Sequence, residues 1–485
     1  MPEQKTVFLE SRGVKSNVFS KFTMPRTGPI YLATKAAEAG HDVSVFKEDL
    51  VGRELNDEEL AEIDVLCISD ITPTYNNSLK TVKRYKKIRQ EAGLESRAIT
   101  GGIHASMMPQ ETAEYFDTLV IGEAESLFPD ILEKKPRQKI IKGKRHRNLD
   151  EAVPIPNFKL LKDWQKIRIF PVITSRGCPH DCSFCSVTEM FGRQYRFHSP
   201  ERVLRELDNL EAIFQEISRN SLWRRRISKN RIFFADDNFA VSSQRAEQIL
   251  DGIIQRGYGR QISCQVRADV TESPRIVEKM ARAGIDTVYV GFESVNSKTL
   301  KEMNKKQTVE DIAHSISVFH NNGIGVLGMF IFGADSDTKD DFNITKDFCH
   351  EHGVDYVQYS ILTPLPGTPF YRDIESQGRL LHKNWDMYDA MHAVFQPKNM
   401  TALELQEGTI QSYQDFYNYS AIARETGKFA LRALHSLATA FSKFPPHRAV
   451  KYQIAGTYIA KKWLQLNQGY LNYLRKSPRA NKKAG

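Results

Sequence analysis

The sequence predicts an α/β protein of 485 residues: a doubly wound, Rossmann-like parallel sheet, then a partial (β/α)6 barrel of TIM type, then a helical C-terminal region. Three observations predict it. Apolar strand-like runs alternate with amphipathic stretches over residues 5 to about 132 and again over 167 to about 384, the pattern of parallel sheets with helical crossovers. Polar and glycine-rich segments recur just beyond those runs, at the strand ends where parallel sheets and barrels gather ligands. After Thr401 only helical periodicity remains.

The first unit, residues 1–132, reads as strands over 6–9, 42–46, 65–69 and 98–100, with helices over 30–39 (closed by Gly40) and 77–92. Three strand ends open into loops that could hold a ligand: Thr72-Pro73-Thr74-Tyr75, Gly101-Gly102-Ile103-His104 and Gly122-Glu123. Their glycines read equally as turn formers. Residues 133–165 are rich in Lys and Arg, lack periodicity and contain Pro154 and Pro156, which marks a basic, solvated linker. Without interleaved aromatics this stretch lacks the signature of a nucleic-acid site, and nucleic acid is not expected as a partner.

In the second unit, residues 166–397, strands are expected over 170–174, 231–235, 261–267, 287–292, 326–332 and 356–362, with a helix over 200–210. Polar groups follow directly: Asp236-Asp237-Asn238, Glu293-Ser294 and Gly333. The third unit, residues 398–485, reads as helices over 402–423, 428–444 and 450–474. Within it Phe429, Leu431, Leu434, Leu437, Ala438 and Phe441 form an apolar face flanked by Lys428, Arg432 and Lys443. Such a face suits an anionic membrane surface or a helical cap on the barrel.

Composition is that of an ordinary globular protein, 41% hydrophobic and 26% charged, and no apolar run reaches the length of a membrane span. With no signal peptide at Met1-Pro2-Glu3-Gln4-Lys5, a cytoplasmic location is expected. The net charge of +9 is uneven, because residues 421–485 carry 13 Lys and Arg against one acid, Glu425. Cys67, Cys264 and Cys349 are far apart in apolar settings and read as buried thiols.

The other three cysteines carry the chemistry. Cys178, Cys182 and Cys185 stand at CxxxCxxC spacing on a short loop, so their thiolates can turn toward one centre. Soft sulfur selects iron–sulfur clusters, zinc or copper. A structural zinc needs a closed tetrahedral set, and no fourth Cys or close-spaced His pair completes one; His180 would compete with its neighbours for space. Three cysteines leave one iron of a cluster open.

The stretch Ser175-Arg176-Gly177-Cys178-Pro179-His180-Asp181-Cys182-Ser183-Phe184-Cys185 resembles the cluster loop of radical S-adenosylmethionine (SAM) enzymes. Val290-Gly291-Phe292-Glu293-Ser294 with Met303-Asn304-Lys305, and Gly328-Met329-Phe330-Ile331-Phe332-Gly333, resemble their fourth- and fifth-strand segments. The resemblance implies a 4Fe-4S cluster on Cys178, Cys182 and Cys185. It implies SAM contacts from Phe184, from Asp236 and Asp237 toward the amino group, and from Gln265 and Arg267 toward the carboxylate, where a guanidinium gives paired hydrogen bonds. Glu293, Ser294, Ile331 and Gly333 complete that set. The implied reaction is reductive cleavage of SAM and removal of hydrogen from an unactivated carbon.

Gly28-Pro29-Ile30-Tyr31-Leu32-Ala33, Ala39-Gly40-His41-Asp42-Val43 and Gly101-Gly102-Ile103-His104 resemble the cobalamin-binding domain that precedes many such modules. This implies cobalamin contacts from Thr72, Thr74, Tyr75, Gly101, Gly102, His104, Gly122 and Glu123, and methyl transfer to a lipid, isoprenoid or tetrapyrrole-like substrate. The Asp-x-His-x-x-Gly motif that supplies a lower axial histidine to cobalt is absent. Two alternatives stay open: a cyclase or carbon–carbon coupling enzyme of the same class without cobalamin, and a non-catalytic cobalamin or SAM sensor. An electron donor such as flavodoxin or ferredoxin is implied, and the basic C-terminal region suggests peripheral membrane contact. A transfer-RNA methylthiolating enzyme would carry a second cysteine triad near its N-terminus, where Cys67 stands alone.

Overall fold

The computed structural model describes residues 4–13, 24–134, 136–219, 230–418 and 447–484. The first sheet holds β1 (Thr6–Glu10), β2 (Val43–Lys47), β3 (Val65–Asp70), β4 (Arg97–Gly101), β5 (Thr118–Ile121) and β6 (Ile140–Lys142), all parallel, in the order β2-β1-β3-β4-β5-β6. β1 and β3 are buried along nearly their whole length, as strands covered by helices on both faces must be. Helices Thr27–Glu38 and Tyr75–Glu91 are among the crossovers. The order reverses between β1 and β3, and in doubly wound sheets that switch point leaves a crevice at the carboxyl ends.

The second sheet holds β7 (Ile169–Val172), β10 (Arg231–Phe234), β11 (Gln261–Val266), β12 (Ile285–Glu293), β13 (Gly325–Phe332) and β14 (Tyr356–Ile361), again all parallel, in the consecutive order of an open six-stranded barrel. Along β12 the pattern is two-faced: Val288, Val290 and Phe292 are buried, while Tyr289, Gly291 and Glu293 are only half-buried. Between β7 and β10 lies a small antiparallel hairpin, β8 (Ser175–Arg176) with β9 (Arg196–Phe197), which sequence periodicity does not show.

The expected linker is corrected in part. Residues 140–142 are the sixth strand of the first sheet, and Gly143 N–H continues the ladder by donating to Ile121 O at 2.7 Å. Further on, Lys162 N–H donates to Val45 O at 2.9 Å, so the segment runs back along β2. Its basic side chains are not simply solvated: the Arg145 guanidinium donates to Glu189 O at 3.2 Å and Met190 O at 3.1 Å.

Helix Ala402–Phe416, shorter than the expected 402–423, packs along β14. Tyr359 N–H donates to the Tyr413 hydroxyl at 2.9 Å, Val357 N–H donates to the Tyr417 hydroxyl at 3.0 Å, and Tyr417 O–H donates to Val357 O at 3.0 Å. The free edge of the barrel sheet is thereby satisfied by phenols at Val357 and Tyr359, and by Ala390 O at Ile361 N–H. A second long helix, His447–Lys476, packs against the first. The expected helix over 428–444, with its apolar face and flanking cations, lies outside the described residues.

A Cβ at Gly143 would sit 2.0 Å from Glu123 O. We therefore expect Gly143→Ala to destabilise the protein by about 2 kcal/mol in urea unfolding, whereas an effect below about 0.5 kcal/mol would return this residue to a solvated surface.

Candidate active site at the sheet ends

The cysteine loop is shaped from outside. Gly177 has φ +88°, and a Cβ there would lie 2.4 Å from Gln194 O, so only glycine fits between β8 and Cys178. Cys178 N–H donates to Gly192 O at 3.3 Å and Cys185 N–H to Cys182 O at 3.1 Å. From across the barrel mouth, Phe370 N–H donates to Ser183 O at 3.0 Å and Asn304 Nδ2 to Asp181 O at 3.3 Å. Arg145 binds the last carbonyls of the short helix Val187–Phe191 that follows the cysteines.

Cys178, Cys182 and Cys185 are unbridged and half-buried. Burial lifts all three thiols above their ordinary pKa, Cys185 to about 12, and each of the two later cysteines also feels the charge of the earlier ones. Arg267 and Lys305 act in the opposite sense on Cys178 and Cys182, favouring thiolate. Among the described residues, no three His, Cys, Asp or Glu side chains converge closely enough for a single metal ion. Three neighbouring soft thiols on one loop, two of them facing the cations Arg267 and Lys305, are a donor set that fits an iron–sulfur cluster.

The rim residues divide. Asp236 is 1% exposed, and its carboxylate accepts from Thr174 N–H at 2.9 Å, Thr174 Oγ1 at 2.9 Å and Ser175 Oγ at 2.5 Å, so it joins the ends of β7 and β10 instead of facing a ligand. Asp237 opens into the cleft, where surrounding protein and then Asp236 raise its pKa to about 7. Gln265 Nε2 donates to Asp236 O at 3.2 Å. Arg267 donates through Nε to Asp269 at 3.1 Å and lies close enough to Cys178 and Cys182 to stabilise their thiolates. Glu293, at φ +63°, pairs with Lys305 at 2.7 Å, and both side chains are at most 12% exposed. A Cβ at Gly291 would meet that pair, 2.5 Å from Glu293 Oε1. Phe184 and Ile331 are half-buried against the core.

Two expected SAM contacts have structural duties. Ser294 Oγ accepts from Asn296 N–H at 3.0 Å within a turn. Gly333, at φ +109°, donates its N–H to Asp337 at 2.9 Å, and a Cβ there would lie 2.8 Å from Leu405, so it faces helix Ala402–Phe416.

A cavity of about 440 Å³ runs from the carboxyl ends of the first sheet to the barrel mouth. Phe8, Cys67, Ile99, Val120 and Phe128 make its apolar depth; Pro171, Ile173, Ala235, Asp237, Met190 and Phe191 are its barrel side. Gly101, Gly102, Gly122 and Glu123 line it as expected. Thr72, Thr74, Tyr75 and His104 do not: His104 packs on Tyr75 in a tilted pair at 4.1 Å and meets Trp385 at 5.4 Å, and burial alone lowers its pKa to about 4. Thr72 Oγ1 sits 3.3 Å from His104 Nδ1, and Thr74 Oγ1 donates to Ile71 O at 3.0 Å.

Sequence reasoning missed Arg26, Asp70 and Thr100 on the cavity wall. Arg26 Nη1 and Nη2, Asp70 Oδ2 and Thr100 Oγ1 are buried without a hydrogen-bond partner. Such orphaned atoms call for a polar ligand. With the apolar depth they fit a macrocycle that carries amide arms. Arg176, Arg196 and Glu125 were also missed; two arginines bracketing the cysteine loop were the available signal.

Residues 172–349 match the family model of the radical SAM superfamily, and residues 20–132 that of the B12 binding domain. The chain is 26% identical over 375 residues to the bacteriochlorophyllide d C-12(1)-methyltransferase of Chlorobaculum tepidum, covering 76% of this chain and 77% of that one. It is 24% identical over 350 residues to the hopanoid C-2 methylase of Rhodopseudomonas palustris, covering 70% and 62%. Its fold is similar to that of the cobalamin-dependent S-adenosylmethionine radical enzyme OxsB solved with aqua-cobalamin bound, with TM-score 0.67, 15% identity, and 98% and 81% of the two chains covered.

Replacing any of Cys178, Cys182 or Cys185 by Ala is expected to abolish cluster assembly, read as iron and sulfide per chain after anaerobic reconstitution; native iron content in any of the three would refute the ligand set. The raised pKa of Asp237 gives a second expectation. Its carboxyl ionises near 3.8 in the unfolded chain and near 7 in the folded one. The stability of the neutral form is full below pH 4 and is lost as pH rises toward 7. Asp237→Asn should therefore gain on the native protein between pH 4 and 8 in urea midpoints of the cluster-free form, and parallel curves would refute the assignment.

Proposed function

The chain is a radical SAM enzyme carrying a B12 binding domain, and from that premise we propose that it transfers a methyl group, with cobalamin as carrier, to an unactivated carbon of an apolar ring-bearing or isoprenoid-type substrate. One observation carries the reading: a single cavity joins the carboxyl ends of the first sheet to the barrel mouth beside the cysteine loop. When bound, the cluster supplies the electron that breaks a carbon–sulfur bond of SAM, and the corrinoid supplies the methyl carrier. The chain supplies position and exclusion of water.

Asp237 offers a carboxylate to the amino group of SAM, and Arg267 offers its remaining guanidinium nitrogens to the carboxylate group. Lys305, held by Glu293, keeps a fixed positive charge beside the sulfurs. The half-buried face of the barrel strands presents Phe233, Tyr289, Met329 and Ile331, with Phe233 and Tyr289 edge to face at 5.1 Å, a lining suited to apolar carbon. The named relatives act on a tetrapyrrole and a hopanoid, which supports a substrate of that chemistry here. In the same reading the enzyme works in the cytoplasm, receives electrons from flavodoxin or ferredoxin, and meets its substrate at a membrane through the basic residues 421–485. No helix among the described residues is long and apolar enough to cross a membrane.

The test is anaerobic purification followed by turnover with dithionite, trideuteromethyl-SAM and lipid or tetrapyrrole extracts. We expect a corrinoid absorbance, 5'-deoxyadenosine and a product heavier by a labelled methyl group. Formation of 5'-deoxyadenosine with no label in any product would select cyclisation or coupling, and an intact cluster that yields none would select a sensor.

A further inference from the structure

Both feet of the cysteine loop end on one carboxylate. Arg176 and Arg196 face each other across the β8–β9 hairpin that closes the loop. Glu123 Oε2 accepts from Arg176 Nη1 at 3.1 Å and from Arg196 Nη1 at 3.0 Å, while its Oε1 accepts from Arg196 Nη2. Arg176 also donates to Glu125, and Arg196 to His146 O at 3.0 Å and Phe191 O at 3.2 Å. All four charged side chains are at most 8% exposed. Glu123, Glu125 and Arg176 are at the same time part of the cavity wall.

A network of two acids and two arginines is neutral, and buried ion pairs of this kind contribute little net stability over apolar packing of the same volume. What they impose is position. Glu123 sits on the exit loop of β5, and Arg176 lies two residues before Cys178. Displacement of that exit loop by a cavity ligand would therefore be passed directly through these hydrogen bonds to the loop that holds the cysteines.

We infer that Glu123 is a positioning residue that couples occupancy of the cavity to the geometry of the Cys178–Cys182–Cys185 loop, so that cofactor binding and cluster state are energetically linked. This rests on the reading that the cavity holds a corrinoid. Linkage is reciprocal: if bound corrinoid changes the affinity of the loop for the cluster, the cluster changes corrinoid affinity by the same factor.

Hydroxocobalamin is titrated into native protein with and without reconstituted cluster, and the electron paramagnetic resonance spectrum of the reduced cluster is recorded with and without it. In the native protein we expect affinities differing by about fivefold or more between the two forms, and a cluster spectrum that responds to corrinoid. In Glu123→Gln the ratio of the two affinities falls toward one, whatever the absolute affinity, and the spectrum at saturating corrinoid stops responding, while Glu123→Asp restores part of the response. Equal native affinities with an unresponsive spectrum overturn the inference, as does a native-like response in Glu123→Gln. Should that variant fail to fold, the native titrations decide alone. Absence of corrinoid binding, read from absorbance before any reduction, refutes the functional reading first and this inference with it.

Discussion

Asp236 takes three hydrogen bonds from two consecutive residues, Thr174 and Ser175, and thereby fixes the point where the first barrel strand becomes the hairpin under the cysteine loop. Its partners include a backbone N–H, so the tie sets the direction of the chain as well as its distance from β10. Arg245 completes the fastening from the helix Ser243–Arg256, donating to Thr174 O at 2.8 Å and His198 O at 2.9 Å. A buried acid against buried hydroxyls, with an arginine behind it, costs desolvation that only this dense bonding offsets. The loop beyond it can then carry three thiols with no regular secondary structure of its own between Arg176 and Val187.

The strand ends of both sheets meet at one cavity. In the first sheet the crevice arises from strand order, in the barrel from alternation along each strand. The cavity has an apolar floor beside the first sheet, while the charges of Arg267, Glu293 and Lys305 and the titrating carboxyl of Asp237 gather at the barrel mouth, close to the cysteines. Apolar carbon and ionic groups can thus be held a short distance apart.

Much of this was legible in the sequence because long apolar runs with polar ends are strong signals. All six barrel strands, the four named strands of the first sheet and the two major helices of that domain appear where periodicity puts them, to within a few residues at the ends. Three-residue β6 and the two-residue strands β8 and β9 have no period to detect. Among site residues, a strand end predicts which loop faces the crevice but not which side chain turns into it. His104 turned inward to meet Trp385, a partner nearly three hundred positions away in the chain, with Tyr75 also against its ring. Asp236 and Asp237 are adjacent and chemically identical, and only the packing of Thr174 and Ser175 separates a structural carboxylate from an available one. Arg176 and Arg196 acquire a shared partner only when the fold brings Glu123 between them.

The phenols of Tyr413 and Tyr417 have a consequence for how this architecture can vary. The last strand of this half-open sheet is sealed not by another strand but by two side chains over Val357 and Tyr359, with a backbone bond from Ile361 N–H to Ala390 O at its far end. Among the described residues, the covering helix itself contributes no backbone group to that edge. The covering segment is free to change length and composition so long as two hydroxyls remain one helical turn apart. Evolution could therefore exchange the C-terminal region for different substrates without reopening β14 to strand addition from a neighbouring molecule.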